Sequence, residues 1–148
     1  MEKRKQAESM ADLTYELLEH CQEKRERMAV KLNLTVAEFK LLRMFHDEKP
    51  VLIADLAGRV DLSNSRLTRI LDGLERKKFI RRAIGPKDRR TMEVTLTADG
   101  KKTLKQLETT YLQTHEEIIK LLPDDTADTV LKAMEKLRDA MKLWVGKD

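Results

Sequence analysis

A change of hydrophobic period within one stretch, residues 53–97, constrains the fold of this chain more than any other feature. In IADLAGRVDLSNSRLTRILDGLERKK the apolar residues recur at helical spacing on either side of a tight turn, and Ser63 is a candidate N-cap for the second helix. In TMEVTLT the polar and apolar residues alternate strictly, which is typical of a half-buried strand. Gly85 and Pro86 favour a turn before that strand. Helix, turn, helix and hairpin in this order predict a winged helix-turn-helix.

The segment before this unit predicts two more helices. The first runs from Gln6 to about Lys31, and its apolar stripe consists of Met10, Leu13, Leu17, Cys21 and Met28. Thr35 and Glu38 form a capping-box signature for the second helix. The buried face of that helix is expected to consist of Phe39, Leu42 and Phe45.

The segment after the hairpin predicts a pair of long helices. Thr97 or Asp99 caps the first, and Pro123 ends it. Its apolar stripe consists of Leu104, Leu107, Tyr111, Ile118 and Leu121, and that of the last helix consists of Val130, Met134, Leu137, Met141 and Trp144. One chain has too little surface to cover all these faces, so pairing with a second copy is predicted. The predicted fold class is mainly α with a small β-hairpin wing.

Composition narrows the classes of protein. With 148 residues, 38% charged, 41% apolar and only 4% aromatic, the chain suits one helical domain better than a disordered segment or an all-β sandwich. No apolar run reaches the roughly 18 residues of a membrane span, and MEKRKQAESM lacks the apolar core of a secretory signal, so a cytoplasmic location is expected. The sequence contains no glycine-rich phosphate loop, nucleophile motif or recognisable carboxylate pair. We therefore expect neither an enzyme nor a cofactor.

The basic excess of the chain lies in its middle third. Residues 51–97 hold 11 basic and 6 acidic side chains, a balance of +5, whereas residues 1–50 and 101–148 are each neutral. This distribution favours a nucleic-acid-binding module within a neutral scaffold. A winged helix used for protein interaction or DNA architecture is the competing class, but such a wing would not need Arg89 and Arg90.

The outward face of the second helix of the helix-turn-helix carries the residue types that contact DNA. Asn64, Ser65, Arg66, Thr68 and Arg69 lie near its start and offer donors to base edges and phosphates in a major groove. For the two arginines, phosphate contacts are the safer assignment because phosphate contacts outnumber base contacts. A basic run at the junction with the hairpin is expected to contact the DNA backbone, and it consists of Arg76, Lys77, Lys78, Arg81 and Arg82.

An ordered set of residues from Leu56 to Gly100, LA…S…TR..D.LE…P.DRR…V.LT..G, resembles the MarR family of bacterial transcription regulators. The resemblance implies a homodimer of residues 1–148, with a winged helix-turn-helix lobe at about 35–100 and dimerisation helices at about 1–31 and 101–148. It also implies a repressor of a pseudo-palindromic operator in double-stranded DNA. Release by a small phenolic or lipophilic ligand, an oxidant or a metal is implied as well.

Position by position, the resemblance implies a recognition helix from Ser63 to about Lys77 and a wing that contains Lys87, Asp88, Arg89 and Arg90. In that wing Asp88 would hold the loop while Arg90 enters the minor groove. The sequence departs from the family at Asp61 and Phe79, where a glycine often ends a helix in a left-handed turn. Phe79 does not favour that geometry, so Lys78 or a shifted turn is expected to take its place.

The sequence does not identify the effector. Candidates to line a family-type ligand cleft are Leu17, Met28, Phe39 and Met44, each equally explicable as core. Cys21 is expected to be an inert core residue, since it shares a stripe with Leu17 and Met28, although oxidant sensing remains the alternative. Metal sensing would require convergence of His20, Cys21, His46, His115 and Glu116, and no spacing of metal-ligand type supports it.

Overall fold

Six helices and three short strands make up the part of the chain that the computed structural model describes, residues 1–45, 49–60 and 62–147. The helices are α1 (Glu2–Lys31), α2 (Val36–Leu42), α3 (Ile53–Val60), α4 (Asn64–Arg76), α5 (Ala98–Leu121) and α6 (Ala127–Val145). The strands are β1 (Val51–Leu52), β2 (Ile80–Ile84) and β3 (Met92–Leu96). The predicted fold class, mainly α with a hairpin wing, is confirmed.

Helix ends follow the predicted capping chemistry. The Thr35 hydroxyl accepts a hydrogen bond from the Glu38 amide, and the Glu38 carboxylate accepts one from the Thr35 amide, which completes a capping box at α2. The Ser63 hydroxyl accepts from the Arg66 amide at the start of α4. At the start of α5 the Thr97 hydroxyl accepts from the Gly100 amide, so Thr97 is the cap.

The end of α4 is a left-handed turn at Lys78, as the sequence predicted. Lys78 has a φ of 64°, its amide donates to the Glu75 carbonyl, and the Phe79 amide donates to the Leu74 carbonyl. These two bonds form a Schellman motif, which normally favours glycine at the left-handed position. The related expectation at Asp61 lies outside the described residues.

The three strands form an antiparallel sheet in the order β1-β3-β2. The hairpin pairs Ile80 with Leu96 and Ile84 with Met92. Strand β1, which the sequence did not predict, pairs Val51 with Val94 on the other side of β3. Val94 and Leu96 are buried, but Met92 is 40% exposed, so its predicted inward position is corrected.

The core of the lobe is built where α2 packs on α4, α4 packs on β2, and α3 packs on β3. Buried apolar side chains from these elements include Phe39, Leu42, Leu56, Leu71, Leu74 and Val94. Phe45, beyond the end of α2, is also buried, as predicted. Gly100 allows close approach of α5, because a β-carbon at this position would collide with the Phe79 carbonyl.

In a single chain, the terminal helices leave many residues of their predicted apolar stripes exposed. The chain divides into residues 1–110 and 111–148. In the first unit, α1 buries only Met28 and Ala29, whereas Leu13, Leu17 and Cys21 are exposed. In the second, α6 buries no residue, and Trp144 is 74% exposed. Among the described residues, many of these apolar positions are exposed, in keeping with the expectation that one chain cannot cover all of these faces.

No helix among residues 1–45, 49–60 and 62–147 is both long enough and apolar enough to span a membrane.

Candidate nucleic-acid interface

The outer face of α4 is polar, basic and exposed. Leu67, Leu71 and Leu74 are buried beneath it. The exposed side chains are Asn64, Ser65, Arg66, Thr68 and Arg69. The Ser65 hydroxyl lies 3.2 Å from the Ser63 hydroxyl, and the Thr68 hydroxyl donates to the Asn64 carbonyl at 2.8 Å. The first two turns of α4 therefore present amide, hydroxyl and guanidinium groups on its outer face, and the buried leucines fix the orientation of that face.

The wing loop between β2 and β3 is closed by a local hydrogen-bond network. The Gly85 amide donates to the Thr91 carbonyl at 2.9 Å, and the Thr91 amide and hydroxyl donate to the Asp88 carbonyl at 3.1 and 2.6 Å. A β-carbon at Gly85 would collide with the Thr91 hydroxyl, so this loop requires glycine. The turn therefore has a defined shape that its sequence specifies.

Asp88 and Arg90 form the tip of this wing. The Asp88 carboxylate accepts a hydrogen bond from the Arg90 amide at 3.0 Å and two more from its guanidinium at 3.2 and 3.4 Å. The Arg90 amide first, and then its side chain, hold the pKa of Asp88 below its usual value. The Arg90 side chain is 91% exposed, so its guanidinium remains accessible to a ligand.

Arg82 fixes the hairpin against α4. Its guanidinium donates to the Asp72 carboxylate at 2.6 Å and to the Glu75 carboxylate at 2.5 Å. Burial alone would lower the pKa of Arg82, but these two hydrogen bonds and charges outweigh it and raise the pKa. The sequence-based assignment of Arg82 to a DNA-facing basic run is corrected. The three-residue spacing of Asp72 and Glu75 on one helix face was the signal for this pairing.

The assignment of Lys77 to the DNA-facing basic run is also corrected. Its ammonium lies 2.8 Å from the Glu38 carboxylate and 2.8 Å from the Asn33 carbonyl, and only 33% of its side chain is exposed. Because the ammonium is directed at these two acceptors, Lys77 is not part of the outward basic surface. The exposed basic residues of the lobe that remain near α4 and the wing are Arg66, Arg69, Arg76, Lys78, Arg81, Lys87, Arg89 and Arg90.

The four candidate effector residues do not come together. Leu17 is 60% exposed on α1, whereas Met28 and Phe39 are 2% and 1% exposed in the core. Met44 lines a cavity that has a volume of about 800 Å³ and lies between α2 and the α3–α4 pair, and Leu17, Met28 and Phe39 are not among the residues that line it. Lys40, Arg59, Arg66 and Arg69 contribute its basic groups, and its other lining side chains are mostly aliphatic. The pattern of apolar spacing could not distinguish cavity lining from core.

Cys21 is exposed, which corrects its expected burial. The neighbouring His20 pairs with Glu23 at 3.5 Å. Within residues 1–45, 49–60 and 62–147, no three His, Cys, Asp or Glu side chains converge in a way that could hold a metal ion. His46, one of the residues considered for metal sensing, lies outside the described ranges.

Comparisons with known proteins place this geometry in a family. The family model for MarR matches residues 34–92, which include α2, the helix-turn-helix and most of the hairpin. The structure of wild-type MarR from E. coli in its apo form is 25% identical, covers 86% of this chain and 94% of that chain, and has a TM-score of 0.75. Residues 34–92 therefore match the MarR family, and the chain shares the fold of E. coli MarR.

Curated relatives agree with this match. YetL of Bacillus subtilis, an HTH-type transcriptional repressor, is 26% identical over 75% of this chain and 68% of its own length. YfiV of the same organism, an HTH-type transcriptional regulator, is 31% identical over 53% of this chain, and the match spans only 49% of YfiV itself. Members of the MarR family are transcriptional regulators and not enzymes, as the sequence predicted.

Proposed function

We propose that this chain is a homodimeric repressor of the MarR family that binds a pseudo-palindromic operator in double-stranded DNA. The observation that carries the proposal is the exposed outer face of α4, held against a wing whose tip presents Arg90. A mutant of E. coli MarR complexed with operator DNA supports it, since that chain is 26% identical, covers 82% of this one and has a TM-score of 0.64. Residues 1–148 act as one domain in this proposal, with the lobe at about 35–100 and dimerisation helices at about 1–31 and 101–148.

In the proposed complex, α4 enters the major groove. Asn64 and Ser65 lie in the first turn, where side chains of a recognition helix reach base edges. The groups assigned to phosphates on the flanks of the groove are Arg66, Thr68, Arg69 and Arg76, since most protein–DNA hydrogen bonds go to the backbone. Ser63 caps the start of α4 by accepting from the Arg66 amide, and this end of the helix is assigned to the DNA backbone.

The wing is proposed to enter the adjacent minor groove. Arg90 supplies the inserted guanidinium, because a narrow minor groove concentrates negative potential. Lys87 and Arg89 contact phosphates on either side of it. Asp88 orients Arg90 and the loop through three hydrogen bonds, so its negative charge has a positioning role beside the DNA.

The homodimer is proposed to form through the terminal helices. Apolar side chains exposed there include Leu13 and Leu17 of α1, Ile118 of α5, and Met134, Met141 and Trp144 of α6. Exposed apolar surface of this extent is uncommon on a monomer and indicates an interface. A symmetric pair would cover the same faces of both copies, and it would present two lobes to the two halves of a pseudo-palindrome.

Release by a small phenolic or lipophilic effector is the last part of the proposal. The cavity between α2 and the α3–α4 pair shares Arg66 and Arg69 with the DNA-facing surface. Its aliphatic lining suits an apolar body, while those guanidinium groups suit an acidic substituent. A ligand bound there would compete with DNA for the same two side chains.

In vitro selection from a random duplex library tests this function. The purified chain is expected to enrich an inverted repeat whose half-sites lie one helical turn apart. Its affinity for the selected duplex should exceed that for a scrambled duplex by a factor of roughly 1,000 or more. Enrichment of no sequence, or equal affinity for both duplexes at two salt concentrations, would contradict the proposal.

A further inference from the structure

A partly buried ion pair joins the ends of three helices on the inner side of α4. Lys77 is the C-cap of α4, Glu38 belongs to the capping box of α2, and Asn33 follows the last turn of α1. The Lys77 ammonium donates to the Glu38 carboxylate and to the Asn33 carbonyl, each at 2.8 Å. Asn33 has a φ of 56°, and the Leu34 amide donates to the Ala29 carbonyl, so this end of α1 is itself a fixed turn.

Glu38 is an unusual residue to bury at this junction. Only 5% of its side chain is exposed, and Oε2 is the one buried side-chain nitrogen or oxygen atom without a hydrogen-bond partner among the described residues. Burial alone would raise the pKa of Glu38, but hydrogen bonds from Lys77 and Thr35 and the Lys77 charge hold it below its usual value. Burying a charged pair generally stabilises a fold less than apolar packing does. Stability alone therefore does not explain this carboxylate.

The sequence of α4 makes room for the same carboxylate. Gly73 lies in the second half of α4, although glycine is a weaker helix former than alanine. A β-carbon at Gly73 would stand 3.2 Å from Glu38 Oε2, closer than nearly all contacts of this kind. Two residues of the α4 segment therefore accommodate Glu38. Gly73 leaves space for its carboxylate, and Lys77 donates a hydrogen bond to it.

We propose that Glu38 is a positioning residue for DNA recognition, which acts by holding Lys77 and thereby setting the end of α4 against the end of α1. The inference rests on the proposed function, in which α4 reads the operator. Glu38 itself does not contact DNA. The pair couples the position of α1 to that of the recognition helix α4. Each half-site is therefore read only when α1 and α4 are correctly placed relative to each other.

The sign of the charge effect separates this role from a direct contact. If Lys77 neutralised a phosphate, its removal would weaken binding to every duplex and lower the salt dependence, and removal of the negative Glu38 would strengthen binding. If the pair positions α4, removal of either partner weakens binding to the correct sequence. The two substitutions should then affect binding in the same direction, although they change the net charge in opposite directions.

The experiment compares Glu38→Gln, Lys77→Gln and the double variant in the full chain. Glutamine at position 38 retains an acceptor for the Thr35 amide, so the capping box remains. The probes are the duplex selected by the parent and a scrambled duplex of equal length, each titrated at two salt concentrations. Each single variant is expected to lose on the order of 10-fold in affinity for the selected duplex, with the scrambled duplex and the salt slope unchanged. The affinity lost by the double variant should be no greater than that lost by the more strongly affected single variant, because both substitutions disrupt the same ion pair.

Two further variants keep this test decisive. Lys77→Arg preserves a cation that can reach both acceptors, and it is expected to restore most of the ratio between the two duplexes. Lys102→Gln removes the same charge from an exposed position of α5 and should leave that ratio unchanged. Variants that lower thermal stability without changing the ratio would overturn the positioning role, as would tighter binding by Glu38→Gln. Failure of the parent to select any duplex would instead contradict the proposed function.

Discussion

The winged lobe and the terminal helices use the same kind of apolar pattern with opposite outcomes. In the lobe, Leu56, Leu71 and Val94 are almost wholly inaccessible, and the polar positions between them face outward. In α6 the apolar positions Met134, Met141 and Trp144 remain at least half exposed in one chain. The lobe therefore buries its apolar positions, whereas the terminal helices carry the exposed apolar surface that is proposed to form the dimer.

The largest effect should come from a charge on the exposed apolar face of α6. Met141→Glu is expected to destabilise the proposed dimer by about 3 to 6 kcal/mol, because each of two copies loses a buried methionine. That corresponds to more than a 100-fold rise in the dimer dissociation constant, measurable by sedimentation equilibrium. Thr129→Glu, which adds the same charge at an exposed polar position of α6, is the matched control. A dimer unaffected by Met141→Glu would locate the interface elsewhere.

A smaller effect is expected inside the lobe from Gly100→Ala. The added β-carbon collides with the Phe79 carbonyl, so the free energy of unfolding should fall by on the order of 3 kcal/mol. Gly58→Ala in α3 is the control, since a β-carbon there meets no described atom within 4 Å. That variant should gain roughly 1 kcal/mol from helix propensity. Urea denaturation distinguishes the two, and equal stability would show that α5 can shift away from the hairpin.

Arg90→Ala tests the lobe as a DNA reader without disturbing the dimer. The loss in operator binding should be about 1 to 3 kcal/mol per half-site, with a flatter salt dependence. Arg4→Ala removes an exposed arginine from α1 and should leave both quantities unchanged. Fluorescence anisotropy with the selected duplex measures the difference. Equal behaviour of the two variants would mean that the wing is only a solvated turn.

Asp88→Ala is expected to weaken operator binding by less than Arg90→Ala does, since the loop and Arg90 lose their shared acceptor. Electrostatics alone predicts the opposite, because a negative charge beside DNA disappears. The Asp88 carboxylate is ionised at neutral pH, and because the pKa of Asp88 is lowered, its hold on the loop should persist until the pH falls below the usual range of an aspartate. Tighter binding by this variant at neutral pH would contradict the positioning role.

The smallest effect is expected at Cys21. Its thiol is exposed on α1 without a cluster of metal ligands nearby in the described ranges. Cys21→Ala should leave operator affinity unchanged, because Cys21 belongs to α1 and not to α4 or the wing. A peroxide response that the parent has and the variant lacks would instead identify an oxidant-sensing regulator.

Local chemistry explains why so much of the lobe could be predicted from the sequence. The Thr35 and Ser63 caps, the left-handed turn at Lys78 and the hairpin each depend on residues a few positions apart. The Lys77–Glu38 pair joins residues 39 positions apart, and charge spacing along a helix contains no information about such a partner. The exposure of Cys21 was missed for a related reason, because periodicity identifies an apolar face but not what covers it.

The two bonds from Arg82 to α4 have a mechanical consequence for any operator that the dimer binds. Since the Asp72 and Glu75 carboxylates both accept from one planar guanidinium, we expect the hairpin to keep its position relative to α4. The number of base pairs between a major-groove contact and the neighbouring minor-groove contact is then a constant of the lobe. Operators of the proposed dimer are then expected to share one layout inside each half, whatever the gap between the halves.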